Sequence, residues 1–178
     1  MPKTSLATAF LLLLSGSALW SNSSGAPDGN HGEAQNCTSC HSGAVNSGDG
    51  TISLSGLPSN YTLGQTYNLT IAVSGTHARG YGFQLIAKAG SSASGTLTPV
   101  SSGMAISNGY AEQTTPSNTG SWNFQWTAPS SNQGSVTFYA SGLATGGGSG
   151  NAGDQVYTLS QNLPPPPALI RRHKVWTQ

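Results

Sequence analysis

From Thr51 onward the chain alternates. Residues 66–74 set Tyr67, Leu69, Ile71 and Val73 on one side and Asn68, Thr70, Ala72 and Ser74 on the other. A period of two marks a strand with one face buried, because successive side chains of an extended chain point to opposite faces. The same rule picks out 51–55, 81–89, 122–126, 136–141 and 155–160, with Phe83, Leu85 and Ala87 set against Gln84, Ile86 and Lys88 in the second run. Weaker strands are expected at 96–100, 103–107 and 109–114. Turn-forming clusters separate the runs: Leu57-Pro58-Ser59-Asn60, Ala89-Gly90-Ser91-Ser92, residues 115–120, residues 128–134 and the glycine-rich 146–150. No stretch beyond the first residues carries a helical period. Seven to nine short strands at this spacing predict an all-β sandwich over residues 51–161. The one-sided aromatic run Trp122, Phe124, Trp126 reads as core, with a stacking platform for a ligand as the alternative.

The ends differ from the body. Lys3, an apolar run at 7–14 and the small residues Ser15 to Ala18 make a secretory signal peptide pattern over 1–24, with cleavage after Ala18 or a few residues later. That run is shorter than the ~20 apolar residues a spanning helix needs, so no integral membrane span is expected. Residues 25–50 are rich in Gly, Asn and Ser and form a loop segment. Residues 162–178 form a proline-rich tail: four prolines at 164–167 make a stiff spacer, and the eleven residues after it are too short and polar for an anchor. Charged residues are 6% of the chain and the net charge is +1, so no basic patch is available for nucleic acid. The expected location is secreted, at the cell surface or periplasmic.

The loop segment holds the only two cysteines, in Cys37-Thr38-Ser39-Cys40-His41. The spacing C-x-x-C-H predicts attachment of one c-type haem. Two thiols add to the two vinyl groups of the porphyrin, and the histidine that follows supplies the axial nitrogen to iron. Two other readings stay open. One is a Cys37–Cys40 disulfide, which leaves His41 unexplained; the other is a zinc site, which lacks a second ligand pair. The candidate sixth ligands of the iron are His31, His77 and Met104, with His173 in the tail the weakest. A vacant or water-ligated sixth position is the alternative. Asp154, just after the glycine-rich loop, is placed to accept from loop amides or to take calcium. With 5 Asp+Glu in all and no paired nucleophile and base, no catalytic constellation stands out, and an enzyme is not expected.

Several short stretches line up together. They are Gly25-Ala26-Pro27 before the CXXCH, the run from Tyr61 to Tyr67, Gly82-Phe83-Gln84-Leu85, Trp126-Thr127-Ala128-Pro129, the run from Gly134 to Ala140, and Val156-Tyr157-Thr158. Over roughly residues 25–160 the chain resembles the bacterial reeler-like domain of the choice-of-anchor V proteins. The resemblance implies an Ig-like or reelin-like β-sandwich, surface exposure, and haem attachment at Cys37, Cys40 and His41. The family pattern has a His-Thr pair after the tyrosine near position 110, where this chain has Ala111-Glu112-Gln113-Thr114. The leading expectation is a monohaem c-type cytochrome-like protein that serves electron transfer outside the cytoplasm, with a redox partner protein or self-assembly. Its alternative is an extracellular adhesion or matrix module with a Cys37–Cys40 disulfide and no haem.

Overall fold

The computed structural model describes residues 24–146 and 151–167. The signal-peptide reading, His173 and most of the tail therefore lie outside the described residues. Ten strands form in chain order: β1 (Thr51–Ser55), β2 (Thr66–Ser74), β3 (Gly80–Ala89), β4 (Ser92–Ala93), β5 (Thr96–Pro99), β6 (Met104–Ser107), β7 (Tyr110–Gln113), β8 (Ser121–Thr127), β9 (Val136–Thr145) and β10 (Gln155–Leu163). They make a four-stranded sheet, β1-β2-β8-β5, and a six-stranded sheet, β10-β9-β3-β7-β6 with β4 paired to β3. The all-β sandwich expected from the alternation is the fold. The two-residue β4 had no signal, because it is only the return leg of the turn at Gly90. Strand β10 runs to Leu163, two residues past the expected domain edge, and Tyr61 N–H then donates to Pro164 O.

The alternating residues close the core between the sheets. Leu69, Ile71 and Val73 from β2 and Trp122, Phe124 and Trp126 from β8 meet Phe83, Leu85 and Ala87 from β3 and Val136, Phe138 and Ala140 from β9. Trp122, Phe124 and Trp126 are 2%, 0% and 0% exposed, so they are core and not a ligand platform.

One departure from the pattern matters for the site. On β3, Gln84 and Ile86 are buried along with their inward-facing neighbours, and on β9 Ser141 and Leu143 are buried too. Both faces of the six-stranded sheet are therefore covered here. The cover is the loop segment 24–46. Gln84 Nε2 donates to the carbonyls of Ala26 and Pro27 at 3.2 Å each, and Asn46 N–H donates to Val156 O at 2.8 Å. Gly32 makes this approach possible: its φ is +97°, and a Cβ there would sit 2.8 Å from Ala140 O.

Candidate functional site

The CXXCH is held as a short 3-10 turn, Cys37–Ser39, against the covered sheet. Asn36 starts it, its Oδ1 accepting from Thr38 N–H at 2.9 Å and from Thr38 Oγ1 at 2.8 Å. The amides of Cys40 and His41 both turn back to Cys37 O, at 3.2 and 2.9 Å. Ser141 of β9 pins the turn: its Oγ accepts from Cys37 N–H at 3.1 Å and donates to Cys37 Sγ at 3.2 Å. Both thiols are free. Burial pushes the Cys37 thiol up to about 11, against the opposing effect of the Ser141 hydrogen bond. Cys37 therefore keeps its proton in the folded chain at physiological pH.

His41 is oriented from the other end of the chain. Its Nδ1 lies 2.6 Å from Asp154 Oδ2, with the two side chains 11% and 3% exposed. A carboxylate on Nδ1 fixes the proton there and leaves the Nε2 lone pair available. Asp154 Oδ1 accepts from Gly146 N–H at 3.0 Å, so this carboxylate joins the motif to the turn between β9 and β10. Asn151, in the same turn, donates to Cys40 O and accepts from Ser42 Oγ. Of the two roles expected for Asp154, it takes the loop amide, together with an imidazole that the sequence had not suggested.

Cys37, Cys40 and His41 line one pocket of about 660 Å³, its open mouth included. Ala26, Pro27, Phe83, Pro116 and Leu143 supply its apolar wall, and Asn30 and Gln113 its amides. Two free thiols three residues apart, an imidazole with one nitrogen tied back, and an apolar pocket beside them are the donor set that a covalently bound haem requires. The match is one of donor types, two thiols and an imidazole. Among the described residues no three His, Cys, Asp or Glu side chains are grouped to hold a metal ion.

The three candidate sixth ligands are not brought to this pocket. His77 is exposed in the turn before β3, and Met104 is buried in the core on β6. His31 is buried and packs on the rings of Tyr110 and Tyr139, with centroids 5.6 and 6.1 Å away. Of the residues that do build the site, Ser141 and Asn30 had no motif to mark them, while Gln113 lies in the run where the family pattern has its His-Thr pair. Ser141 lies 104 positions from Cys37 and reaches it only through the fold.

His31 helps to dock the loop segment. Burial pushes its imidazole below the ordinary value of 6.5; Glu33 opposes this and Lys88 adds to it. The unfolded chain then binds a proton more readily than the folded one, so stability is lost as pH falls below about 6.5. The urea midpoint is expected to drop over that window, and to drop less in His31→Phe. Equal pH dependence in both proteins would show that His31 does not report on docking.

Fold and site together define an antiparallel β-sandwich with a CXXCH loop laid on the outer face of its larger sheet. The Reeler domain profile matches residues 35–145, and the chain belongs to the Reeler domain family. Among solved structures it is similar to the human F-spondin reeler domain, at 19% identity over 70% of this chain and 95% of that one, with a TM-score of 0.54. The reelin-N domain of F-spondin is comparable, at 20% identity over 70% and 93% of the two chains, with a TM-score of 0.55. At such identity the likeness establishes the fold alone. No curated protein matches the chain.

Proposed function

We propose that this Reeler domain protein is a monohaem c-type cytochrome of the bacterial choice-of-anchor V type, acting in electron transfer outside the cytoplasm. One observation carries the reading: Cys37, Cys40 and His41 open on one apolar pocket, with both thiols free and Asp154 holding Nδ1 so that Nε2 is available. Cys37 and Cys40 would hold the haem as thioethers, and His41 would supply a nitrogen to its iron. When bound, the haem supplies a one-electron redox centre. The chain's part would be to set the imidazole through Asp154, offer the apolar side chains of Phe83, Pro116 and Leu143 to the group, and leave part of the motif at the surface. Cys40 and His41 are partly exposed and Ser39 is exposed, so a redox partner or a second copy can approach the site. The signal-peptide pattern supports export, the compartment side on which c-type attachment occurs. No helix among the described residues is long and apolar enough to cross a membrane.

The test is a pyridine haemochrome spectrum on protein made in a host competent for cytochrome c maturation. A c-type α-band that survives acid-acetone extraction is expected, with covalent haem lost in the Cys37→Ala, Cys40→Ala double variant. Absence of haem, with an intact mass two hydrogens light, would instead mean a Cys37–Cys40 disulfide. The adhesion-module reading would then replace this one.

A further inference from the structure

Among the described residues three buried polar side-chain atoms have no hydrogen-bond partner: Asn30 Oδ1, His31 Nδ1 and Gln84 Oε1. All three lie on one contact, between the segment 25–35 and the outer face of the larger sheet. Asn30 and His31 belong to the segment. Gln84 is the β3 side chain beneath it, bonded through Nε2 to the carbonyls of Ala26 and Pro27. Buried polar groups are normally paired, and each one that is not weighs against the closed arrangement. Lifting the segment would let water reach all three.

The ties that hold the segment down are of a kind that breaks locally. Among the described residues they run through side chains: Gln84 to the two carbonyls at 3.2 Å each, Asn108 Nδ2 to Asp28 Oδ2 at 2.8 Å, and Lys88 to Glu33. None is part of a strand ladder. Asn36, by contrast, opens the turn that Ser141 pins through Cys37 N–H. Glu33, Ala34 and Gln35 are exposed, so the joint between the segment and the pinned turn lies at the surface. Ala26, Pro27 and Asn30 form the wall of the pocket that faces Cys37, and only about 80 Å³ of that pocket is free to the centre of a water-sized molecule. A porphyrin does not fit there while this wall is in place. We propose that residues 25–35 are a strap that lifts as a unit while the sandwich stays folded, and that its lifting opens Cys37 to a group too large for the closed pocket.

Ile86 is the place to watch. Leu85 pairs with Ala111 and Ile86 with Tyr139, so the register sets Ile86 between Tyr110 and Tyr139, the two rings on which His31 packs. It is 6% exposed. Ala140, 0% exposed, faces the other way, into the core between the sheets. The experiment measures maleimide labelling, without denaturant, of Ile86→Cys and of Ala140→Cys, each in Cys37→Ala, Cys40→Ala protein. That background carries no haem, so the result is independent of the cytochrome reading. The thiol of Ile86→Cys is expected to react at least about a hundredfold faster than that of Ala140→Cys, because local opening takes less free energy than global unfolding. It should still react more slowly than the same thiol in urea. Gly32→Ala strains the strap at a φ of +97° and sets a Cβ 2.8 Å from Ala140 O. It is expected to speed labelling of Ile86→Cys by at least about tenfold and to leave Ala140→Cys unchanged. Gln84→Cys, at a position 0% exposed beneath Ala26 and Pro27, is the second probe if Ile86→Cys does not fold. Equal rates on the two faces would overturn the strap, since opening would then be global unfolding. Labelling of Ile86→Cys as fast as in urea would overturn it too, because the segment would not close. So would equal acceleration of both thiols by Gly32→Ala.

Discussion

Trp126→Ala is expected to remove about 3–5 kcal/mol of stability, the range for truncating a fully buried large aromatic. Whole domains are stable by only about 5–15 kcal/mol, so this one change brings the sandwich close to unfolding. Trp126 is 0% exposed and sits where the two sheets are pinned together. Its ring meets Phe138 of β9 edge-on at 5.1 Å, Tyr61 edge-on at 6.0 Å and Tyr67 of β2 in a stack at 6.0 Å. Its Nε1 donates to Ser94 O at 2.9 Å in the buried interior. Alanine therefore leaves a cavity and also an unpaired buried carbonyl, two separate costs. Urea unfolding followed by far-ultraviolet circular dichroism measures the loss. Trp126→Phe, which fills part of the space, should fall between. A loss below about 1 kcal/mol for the alanine variant would mean that the ring is not closed in the core as described.

The second large effect is expected at Asp154, through a different mechanism. Its two oxygens do two jobs, Oδ2 on His41 Nδ1 and Oδ1 on Gly146 N–H. Asn in its place has one acceptor oxygen, so one of these bonds is lost, and the charge is lost as well. A carboxylate on the far nitrogen makes an axial imidazole a stronger base and favours the more positive ferric state. Loss of such a partner elsewhere changes metal affinity by about 10–100-fold. If the loss falls mainly on the ferric form, the reduction potential rises by about 59 mV per tenfold. Spectroelectrochemistry on haem-loaded Asp154→Asn would measure it, with hydrogen exchange at residues 37–41 as a readout of the motif's rigidity. An unchanged potential beside faster exchange would limit Asp154 to bracing the turn between β9 and β10.

The two predictions differ in how far each could be anticipated. Trp126 stood out as core from Trp122, Phe124 and Trp126 alone, because alternation follows from the covalent geometry of an extended chain and needs no partner. The CXXCH was equally plain, since five consecutive residues carry the chemistry. The partner of His41 was not, for Asp154 lies 113 positions away. Its role depends on β9 and β10 pairing, which brings Gly146, Asn151 and Asp154 beside the motif.

The candidate sixth ligands show the limit in another way. His31, ten residues before His41, was a fair candidate by nearness along the chain. Its ring is instead taken up by Tyr110 and Tyr139. Chain separation in a glycine-rich loop does not fix direction, and here the ring is buried against two tyrosines with its Nδ1 left without a hydrogen-bond partner.

The sequence by itself determined the fold class, the places of the main strands and the identity of the chemical motif, because each is written in residues close together along the chain. Only the tertiary structure decided that the loop segment covers the outer face of the larger sheet, burying Gln84, Ile86 and Ser141 against their alternating pattern. It alone decided that Asn30 and Gln113 share a pocket with the motif. The physical reason is that a strand's period is a local property, whereas which faces are covered and which polar atoms meet depends on long-range pairing between sheets and loop.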